Sequence, residues 1–584
     1  MNAVQQLLTD HIDIWIAAET EKKSGRGRVS SNAANVYGVK KLRKLIRELA
    51  VRGKLVPQDA NDEPASDLIN RLHAEKMQLI AEGRAKLGKP QPIISSDETP
   101  YYLPAGWKWI RLNDFVLRII SGGTPSKNNS EFWNGDIPWA SVKDLNVERF
   151  LETTEDYITK AGLEAGSKLA SKGDLLICTR MGLGKIAIAA VDVAINQDIK
   201  ALKLSSLIDI DYFINFYSTL KIIGSGMTVA GIKQEELLGY CIPTPPLEEQ
   251  HRIVAKIDEL MTLCDQLEAQ HSDAADAHEK LVAQLLGTLT QSQSAADFNT
   301  NWQRIAANFD TLFTTEASID ALKQTLLQLA VMGKLVAQDA NDEPASQLFE
   351  RIQAEKAQLI AQGKIKKEKA FAKIARDNMP FDLPATWEWA HIGELAQSTD
   401  YGLSEQTFDT LNGIPVLKMG DIQNGKVILG GQKKVDANTE GLPDLYLKTG
   451  DLLYNRTNSA ELVGKTGIFQ GADAKYTFAS YLIRIRCFSD LFSPSYLNFA
   501  MNTPLFRKTQ IDPHLKQQCG QANVNGTIMK NMIVPFPALA EQRRICAKVD
   551  EMMALCDQLK SHITNVNQHQ KNLADVLVEH AVDG

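Results

Sequence analysis

Few residues of this chain have the types and spacing that catalysis would require. Glu461 and Lys465 could form the carboxylate–lysine pair of a nuclease, but 23% of the residues are charged and such pairs arise by chance. The segment MGLGK at 181–185 resembles a phosphate-binding loop only loosely, because its spacing differs from GxxxxGK[ST] and no Ser or Thr follows the lysine. No GxGxxG opens a βαβ unit, and neither HExxH nor GxSxG occurs. The sequence therefore predicts a non-catalytic protein.

Two histidines, His271 and His278, have a spacing that would place them on one face of a helix. They could bind a metal, but no carboxylate or cysteine completes a ligand set, and their counterparts in the repeat described next are Ile563 and Gln570. We interpret both histidines as buried polar residues that fix the register of a helix pair. The seven cysteines include no CxxC pair, so we predict neither a disulfide framework nor a metal site.

The chain contains an internal duplication. Residues 51–66, VRGKLVPQDANDEPAS, return 280 positions later at 331–346 with two changes. LPAGWKW at 103–109 returns as LPATWEW at the same offset, whereas EQHRI at 249–253 returns as EQRRI at an offset of 292. Each copy therefore has matched flanks around a divergent centre. We interpret the flanks as shared scaffold in a pseudo-two-fold arrangement, and the centres as the source of specificity.

Each copy is predicted to close with a long amphipathic helix. Apolar residues recur at spacings of four and three from Ile253 to Leu285, and again from Ile545 to Leu577. This pattern predicts a coiled coil in which two rods, each roughly 55 to 60 Å long, pack antiparallel. The seam residues expected to hold the helices and their partners are Ile253, Ile257, Leu260, Leu267, Ile545, Val549, Met552 and Leu559.

Shorter elements precede these helices. A helix with Leu42, Leu45 and Leu49 on one face is followed by a second helix, for which Asp62 is a plausible cap, with Pro64 in its first turn. The divergent centres carry β-type runs at 174–180, 185–191, 451–457 and 481–487. We therefore predict an α/β (α+β) fold with two α/β lobes. The predicted parts are helical residues 1–100, lobe 1 at 101–247, a central helical region at 248–378, lobe 2 at 379–539 and a last helix at 540–584.

Composition narrows the classes of protein. The chain has 584 residues, 44% of them apolar, which is ordinary for a globular protein of several domains. It contains no run of about 18 apolar residues, so we predict a cytoplasmic protein that does not cross a membrane. The net charge of −7 does not attract nucleic acid globally, although a local basic surface would suffice to bind phosphates.

Several motifs point to one family. ISGGTPS at 120–126, IPWASVKDL at 137–145, GDLL at 173–176 and IP…PLEEQ at 242–250 resemble a target recognition domain of type I restriction-modification specificity subunits. The second copy carries IPVLKMGDI at 414–422, GDLL at 450–453 and VPFP at 534–537. The resemblance spans about 40–584, with YGLS at 401–404 in place of the Gly-Gly-Thr-Pro turn.

The resemblance implies a division of labour. Each lobe would read one half of a bipartite double-stranded DNA target, while the paired helices would measure the unread spacer. The helical parts would dock two methyltransferase subunits, and the assembly would recruit two motor-nuclease restriction subunits. S-adenosylmethionine, ATP and magnesium would then belong to those partners, and this chain would bind no cofactor.

A DNA-reading lobe needs Arg or Lys for phosphates and guanine edges, and Asn or Gln for adenine edges. The resemblance and these residue types give two sets of candidates. In lobe 1 they are Thr124, Ser126, Lys127, Asn128, Asn129, Lys143, Arg180 and Lys185. In lobe 2 they are Lys418, Asn455, Arg456, Asn458, Lys465, Gln521, Asn523 and Asn525.

Other readings stay open on the sequence alone. Trp107 and Trp109, with Trp387 and Trp389, could stack on bases, but their place in the repeated flank favours junction packing. The basic stretch at 22–28 could follow the DNA backbone, although a solvated loop is the simpler interpretation. An adaptor that does not bind DNA and a nuclease using Glu461 and Lys465 are the alternative functions.

Overall fold

A computed structural model describes residues 11–17, 36–83, 92–147, 149–225, 230–293, 295–409, 412–518 and 521–583. The chain divides into two compact units. Unit 1 comprises residues 1–274 and 566–584, and unit 2 comprises residues 275–565. Among the described residues, no helix is both long enough and apolar enough to cross a membrane.

Unit 1 combines helices with lobe 1. Its helices are α1 (Ile12–Ala17), α2 (Tyr37–Val51), α3 (Ala65–Ala81), α4 (Leu112–Phe115), α5 (Lys160–Gly166), α6 (Ile210–Thr219) and α7 (Gln234–Gly239). Helix α8 (Leu247–Gln291) begins in unit 1 and continues into unit 2. The strands are β1 (Lys108–Arg111), β2 (Val116–Ser121), β3 (Trp133–Ala140), β4 (Phe150–Leu151), β5 (Asp156–Ile158), β6 (Lys168–Ala170), β7 (Leu175–Cys178), β8 (Ile186–Ala189), β9 (Val193–Ile195), β10 (Ile199–Leu204) and β11 (Cys241–Thr244).

Unit 2 repeats this plan with lobe 2. Its helices are α9 (Ala295–Ala307), α10 (Phe309–Leu312), α11 (Glu316–Val331), α12 (Ala345–Ala361), α13 (Ile392–Leu395), α14 (Pro494–Met501), α15 (Pro504–Phe506) and α16 (Gly526–Asn531). Helix α17 (Leu539–Asp583) begins in unit 2 and ends in unit 1. The strands are β12 (Glu388–His391), β13 (Ala396–Tyr401), β14 (Ile414–Leu417), β15 (Ile422–Gln423), β16 (Lys426–Val427), β17 (Lys434–Val435), β18 (Leu452–Asn455), β19 (Thr457–Asn458), β20 (Thr466–Ile468), β21 (Thr477–Phe478), β22 (Leu482–Cys487), β23 (Lys516–Gln518), β24 (Gln521–Asn523) and β25 (Ile533–Phe536).

The two lobes share one sheet topology. The main sheet of lobe 1 has the order β2-β10-β7-β8-β4, and that of lobe 2 has the order β13-β22-β18-β20-β16-β15. The first three pairings of each sheet are antiparallel, and β4 and β16 each add a parallel partner. The four predicted β-type runs are confirmed as β7, β8, β18 and β22. The predicted mixture of helices and sheets in two repeated lobes is therefore confirmed.

The first and last strands of each lobe pair with each other. In lobe 1 the entering strand β1 pairs antiparallel with the leaving strand β11, from Lys108 opposite Thr244 to Arg111 opposite Cys241. In lobe 2 the strands β12 and β25 pair in the same way. The two flanks of each copy therefore meet in a two-stranded ladder, and the divergent centre of the lobe lies between them in sequence.

The long helices have different cores in the two units. In unit 1, Ile253, Ile257 and Leu260 of α8 are buried in one cluster with Ala574 and Val578 of α17. In unit 2 it is the last turns of α8 that share a cluster with an early part of α17, through Val282, Leu286, Leu289 and Cys556. Opposite ends of the two helices thus meet within each unit, as the antiparallel prediction requires.

The heptad seam is wrong at one later position of each helix, whereas the last predicted seam residues, Leu285 and Leu577, are partly buried against the cores. Leu281 is 48% exposed and Leu573 is 51% exposed, while the next residues along the chain, Val282 and Ala574, are buried. Val282 lies 18 residues after the buried Cys264, which is five turns of a helix with 3.6 residues per turn. The buried stripe follows the natural helical period, because a heptad pattern drifts by about 20° per repeat on a straight helix.

The two histidines on the predicted seam are partly buried, and their role in fixing the helix register stays a prediction. Nδ1 of His271 is buried without a hydrogen-bond partner among the described residues, and Nε2 of His278 lies 3.3 Å from the carbonyl oxygen of Thr311. No group of three or more His, Cys, Asp or Glu side chains in the described part of the chain is placed to hold a metal ion.

Helix α1 packs on α2 at a glycine. Trp15 is fully buried, and a Cβ atom added to Gly38 would lie 2.2 Å from the carbonyl oxygen of Trp15. Only a residue without a side chain permits this approach, so α1 packs closely against α2, which belongs to the repeated helical part.

Gly38→Ala is expected to destabilise the protein although alanine favours helices. Alanine should gain up to about 1 kcal/mol of helix propensity, but the clash with backbone should cost roughly 1 to 3 kcal/mol. We expect a lower melting temperature and faster proteolysis near residues 11–17. Gly287→Ala is the matched control, because Gly287 lies in α8 with nothing within 4 Å of the added Cβ. A Gly38→Ala protein as stable as this control would contradict the packing.

Candidate functional site

The ends of each lobe are joined to the long helix by buried polar residues. Trp107 Nε1 donates to Glu249 Oε2 at 2.9 Å, and Gln58 Nε2 donates to Glu249 Oε1 at 3.3 Å. Gln250 is fully buried; its side chain accepts from the amide of Asp209 at 2.8 Å and donates to the carbonyl of Pro245 at 3.1 Å. The repeated Glu-Gln motif is therefore the junction between lobe and helix.

The second copy reproduces these bonds. Trp387 Nε1 donates to Glu541 at 2.9 Å, and Gln542 accepts from the amide of Ser493 at 2.8 Å and donates to the carbonyl of Pro537 at 2.9 Å. Trp107 and Trp387 are 4% and 5% exposed. Junction packing, and not base stacking, is thus the role of these two tryptophans.

The predicted helix cap at Asp62 is wrong. Pro64 occupies the N-cap position of α3 and makes no side-chain cap bond. The carboxylate of Asp62 instead accepts two hydrogen bonds from the Arg252 guanidinium, at 2.5 and 3.1 Å. A bidentate, charge-assisted pair satisfies the carboxylate better than one amide would, and Asp342 repeats the pair with Arg544.

The junction makes stability depend on pH. Burial raises the pKa of Glu249 above its ordinary value of 4.5, against the opposing hydrogen bonds from Trp107 and Gln58. A carboxyl group whose folded pKa is raised favours folding below its ordinary pKa, and this contribution is lost as the pH rises through the folded pKa. Glu541 behaves in the same way, because burial raises its pKa as well.

Glu249→Gln is therefore expected to change the pH profile of the free energy of unfolding. A glutamine oxygen can still accept from Trp107. As the pH rises above about 4.5, the free energy of unfolding of the variant should increase relative to that of the wild type, and the difference should then become constant. Urea unfolding of both proteins from pH 4 to pH 8 measures this difference. A difference that does not vary with pH would show that the carboxyl group is not desolvated.

Loops at one end of the main sheet form the candidate site, and we call them the edge loops. In lobe 1 they are residues 122–129, 179–185, 196–198, 224–225 and 230–232. Backbone hydrogen bonds tie them together: the amide of Thr179 donates to Asp198 at 2.8 Å, and the amide of Ile232 donates to Thr179 at 2.9 Å. Arg180 also forms an isolated antiparallel bridge with Gly231.

Lobe 2 has matching edge loops at 402–408, 456–465, 479–481, 516–518 and 521–525. Here the amide of Arg456 donates to Tyr481 at 3.1 Å, and the amide of Val524 donates to Arg456 at 2.9 Å. Arg456 thus occupies the backbone position of Thr179, and Tyr481 that of Asp198. The loops have the same scaffold in both lobes and present different side chains.

One loop crossing is also shared. A Cβ added to Gly122 would lie 2.1 Å from the carbonyl oxygen of Asn196, and one added to Gly402 would lie 2.2 Å from that of Phe478. The YGLS segment of lobe 2 therefore keeps a glycine at one of the two positions of the Gly-Gly-Thr-Pro turn where close backbone approach demands it. The other is Gly123, where an added Cβ would lie 2.1 Å from the carbonyl oxygen of Gly166.

The candidate DNA-binding residues of lobe 1 differ in exposure and in their hydrogen-bond partners. Ser126, Lys127 and Asn128 are exposed on the first edge loop, and Thr124 donates to Gln197 on another. Asn129 accepts from the amide of Glu131 and caps a short 3-10 helix. DNA contact by this loop stays a prediction.

Three cations of lobe 1 differ in what they offer to DNA. The Lys143 ammonium pairs with Glu155 at 2.5 Å and Asp156 at 3.2 Å, and the Lys185 ammonium donates to the carbonyl of Val142 at 2.9 Å. The Arg180 side chain is 50% exposed and lies 3.7 Å from Asp198. Arg180 is the least closely held of these three cations, because its ion-pair distance of 3.7 Å is longer than the contacts made by Lys143 and Lys185.

The lobe 2 candidates also separate into groups. The Arg456 guanidinium lies 4.9 Å from the centre of the Tyr401 ring, a cation–π contact that holds it at the edge. Asn455 is 1% exposed and donates to the carbonyl of Leu462, so we expect it to shape the loop behind the surface. Asn525 accepts from the amide of Ile528 and caps α16.

The remaining lobe 2 candidates lie on or beside the edge loops. Lys465 and Asn523 are exposed, and Asn523 is opposite Thr457 in the β19–β24 pair. Lys418 donates to Thr407 at 2.8 Å, and Asn458 accepts from the amide of Ser459. The strand at Gln521 is described, but its side chain is not. The basic stretch at 22–28 lies outside the described residues.

Sequence reasoning missed the third edge loop of each lobe. Asn196, Gln197 and Asp198 connect β9 to β10, and Ala479, Ser480 and Tyr481 connect β21 to β22. Both loops are short and lack Gly and Pro, the strongest turn signals, although Asn196, Asp198 and Ser480 are residue types that favour turns. The loop of lobe 1 could have been found from its position between two apolar, buried strands. That position places it at the same end of the sheet as Arg180.

The predicted seam residues lie as follows. Ile253, Ile257 and Leu260 are buried in one cluster, against which Leu267 is partly buried. Ile545 and Val549 are buried in the core of lobe 2, whereas Met552 and Leu559 are partly buried against the cluster of Val282 and Leu286. Their role in binding partners stays a prediction.

Comparison with known proteins assigns the family. A family model described as the type I restriction modification DNA specificity domain matches residues 104–275 and 384–568. The chain belongs to this family. The specificity subunit of the type I restriction enzyme EcoEI of Escherichia coli is 37% identical over 598 residues, which cover 100% of both chains. That of EcoAI, also of Escherichia coli, is 36% identical over 605 residues with the same coverage.

Membership decides between the functions left open by the sequence. Specificity subunits are the non-catalytic, DNA-recognising components of type I restriction-modification complexes, so the nuclease and adaptor alternatives are set aside. The two matched regions contain the two lobes of this specificity subunit. A crystal structure of the HsdS subunit of Thermoanaerobacter tengcongensis aligns with 18% identity and a TM-score of 0.37, over 83% of this chain and 98% of that one.

Proposed function

We propose that each lobe reads one half of a bipartite double-stranded DNA target through its edge loops. The observation that carries this proposal is the shared loop scaffold with different side chains at equivalent positions. Two readers with one backbone and unlike side chains suit a target with two unlike halves. Arg180 and Arg456 lie at these loops, where a guanidinium can contact phosphates or a guanine edge.

The proposal extends to the partners. The helices α8 and α17, each of 45 residues, would set the length of the unread spacer. The repeated helical parts would dock two methyltransferase subunits, because two equal surfaces suit two copies of one partner. Two motor-nuclease subunits would complete the assembly in the cytoplasm. S-adenosylmethionine, ATP and magnesium would be bound by the partners.

The test is the methylation pattern that the chain imposes. The chain is produced with its cognate methyltransferase subunit in a host that lacks DNA methylation, and modified adenines are mapped by sequencing. We expect a single motif of two short half-sites around a fixed gap, present only when this chain is present. No modified motif in cells where the complex is confirmed by purification would refute the proposal.

A matched pair of variants assigns the half-sites. Arg180→Ala alters lobe 1 and Arg456→Ala alters lobe 2. Each should relax or abolish one half of the motif and leave the other half intact, whereas a pair that weakens both halves equally would argue against one lobe reading each half.

A further inference from the structure

The edge loops of lobe 1 surround a polar cavity of about 450 Å³. Thr124 and Lys127 line it from the first loop, and Asn196, Gln197 and Asp198 line it from the third. The indole of Trp139, which is 4% exposed, forms an apolar wall. The cavity is thus bounded by hydrogen-bonding groups on the surface that the proposed function assigns to DNA.

Asp198 is the unusual residue of this cavity. Its side chain is 7% exposed. Oδ2 accepts from Asn196 Nδ2 at 3.3 Å and from Gln197 Nε2 at 3.4 Å. Oδ1 is buried and accepts no hydrogen bond from the described residues. A buried acceptor without a donor costs free energy, so this oxygen is prepared for a donor that arrives with a ligand.

The chemistry of the carboxylate restricts that ligand. An ionised carboxylate can only accept hydrogen bonds. In the major groove of DNA, the donors on base edges are the N4 amino group of cytosine and the N6 amino group of adenine. Guanine and thymine present acceptors there, which the carboxylate would repel.

We infer that Asp198 is a specificity-determining residue of lobe 1 that accepts a hydrogen bond from the exocyclic amino group of a cytosine or adenine. This inference rests on the proposed function and adds the class of base that one position of the first half-site must contain. Tyr481 occupies the equivalent place in lobe 2 and is 50% exposed, so the second half-site is read there by a different group.

A second role for Asp198 has to be separated from this one. Arg180 Nη1 lies 3.7 Å from Asp198 Oδ1, so the carboxylate could act only by holding the guanidinium in place. In that case Asp198→Asn and Arg180→Lys would relax the same base position. Direct reading by Asp198 predicts that the position relaxed by Asp198→Asn needs its exocyclic amino group for binding, whereas a guanidinium contacts acceptors and does not need that group.

The first experiment maps motifs for the wild-type, Asp198→Asn, Arg180→Lys and Tyr481→Phe chains, each with the methyltransferase subunit. We expect Asp198→Asn to relax one cytosine or adenine position of the first half-site and to leave the second half-site unchanged. Tyr481→Phe is the matched control and should leave the first half-site unchanged. Relaxation of the same position by Asp198→Asn and Arg180→Lys, together with unchanged affinity when the amino group of that base pair is removed, would overturn the inference.

A second experiment changes the DNA and leaves the protein intact, so its result does not depend on whether a variant protein folds. The wild-type complex is titrated with duplexes in which purine replaces one adenine, or pyrimidin-2-one replaces one cytosine, so that a single amino group is removed. At one position of the first half-site we expect affinity to fall about 5- to 150-fold. Unchanged affinity at every such position would refute the inference. A wild-type chain that imposes no split motif would instead refute the proposed function.

Discussion

Gln250→Ala is expected to lower the free energy of unfolding by about 2 to 4 kcal/mol. The side chain is fully buried and satisfies two backbone groups, the amide of Asp209 and the carbonyl of Pro245. Alanine would leave both without their partner and would leave a cavity where α8 begins. Gln542→Ala should have an equal effect, because Gln542 bonds Ser493 and Pro537 in the same way.

Hydrogen exchange resolved along the chain would locate the loss. The Gln250 variant should lose protection mainly within residues 1–274, and the Gln542 variant mainly within 275–565, since each junction lies inside one compact unit. Glu248→Ala is the control, because that neighbouring side chain is 72% exposed. If Gln250→Ala unfolds within about 0.5 kcal/mol of the control, the junction does not depend on this residue.

Gly122→Ala should weaken recognition of the first half-site roughly 10-fold or more, and Gly402→Ala should do the same to the second. A methyl group at either position would lie 2.1 to 2.2 Å from a backbone carbonyl oxygen of the crossing loop. Neither backbone can yield without moving the edge loops, and a shift of this kind costs about 1 to 3 kcal/mol. Because one loop crossing lies in each lobe, each variant should affect one half-site.

DNA titrations with half-site mutants would measure these effects. Gly239→Ala in lobe 1 and Gly420→Ala in lobe 2 are the matched controls, because nothing lies within 4 Å of the added Cβ at either position. Equal loss at both half-sites in the Gly122→Ala protein would show that the change disturbs more than its own edge loops.

The parts that were predictable from sequence depend on local patterns. The runs at 174–180 and 481–487 became strands β7 and β22 because consecutive apolar residues suit a strand that is covered on both faces. The flanks could be recognised because their sequences repeat. The structure explains why they are alike, since Glu249 and Gln250 make buried hydrogen bonds that the second copy reproduces. A residue held by several buried bonds tolerates few substitutions.

The errors arose where long-range contacts decide. Asp62 has the residue type of a helix cap, yet Arg252 is a better partner and lies 190 positions away in the sequence. The edge loop with Asp198 carries only a weak local signal, its Asn and Asp residues, and its importance comes from the strands that bring it beside Arg180. Gly402 could be matched to Gly122 only when the crossing backbones were visible. The heptad count failed at Leu281 and Leu573, because the next residues, Val282 and Ala574, are the buried ones and sequence spacing alone does not reveal that shift.

The ladder in which a lobe's first and last strands pair has an evolutionary consequence. The bonds between Trp107, Glu249 and Gln58 lie within the repeated flanks, so they do not depend on which loops the lobe carries between β1 and β11. Genetic recombination that exchanges the segment between these strands would deliver a new reading surface with its attachment already complete. Either copy would accept such an exchange, and the number of targets available to descendants of this gene would then be the product of two independent repertoires.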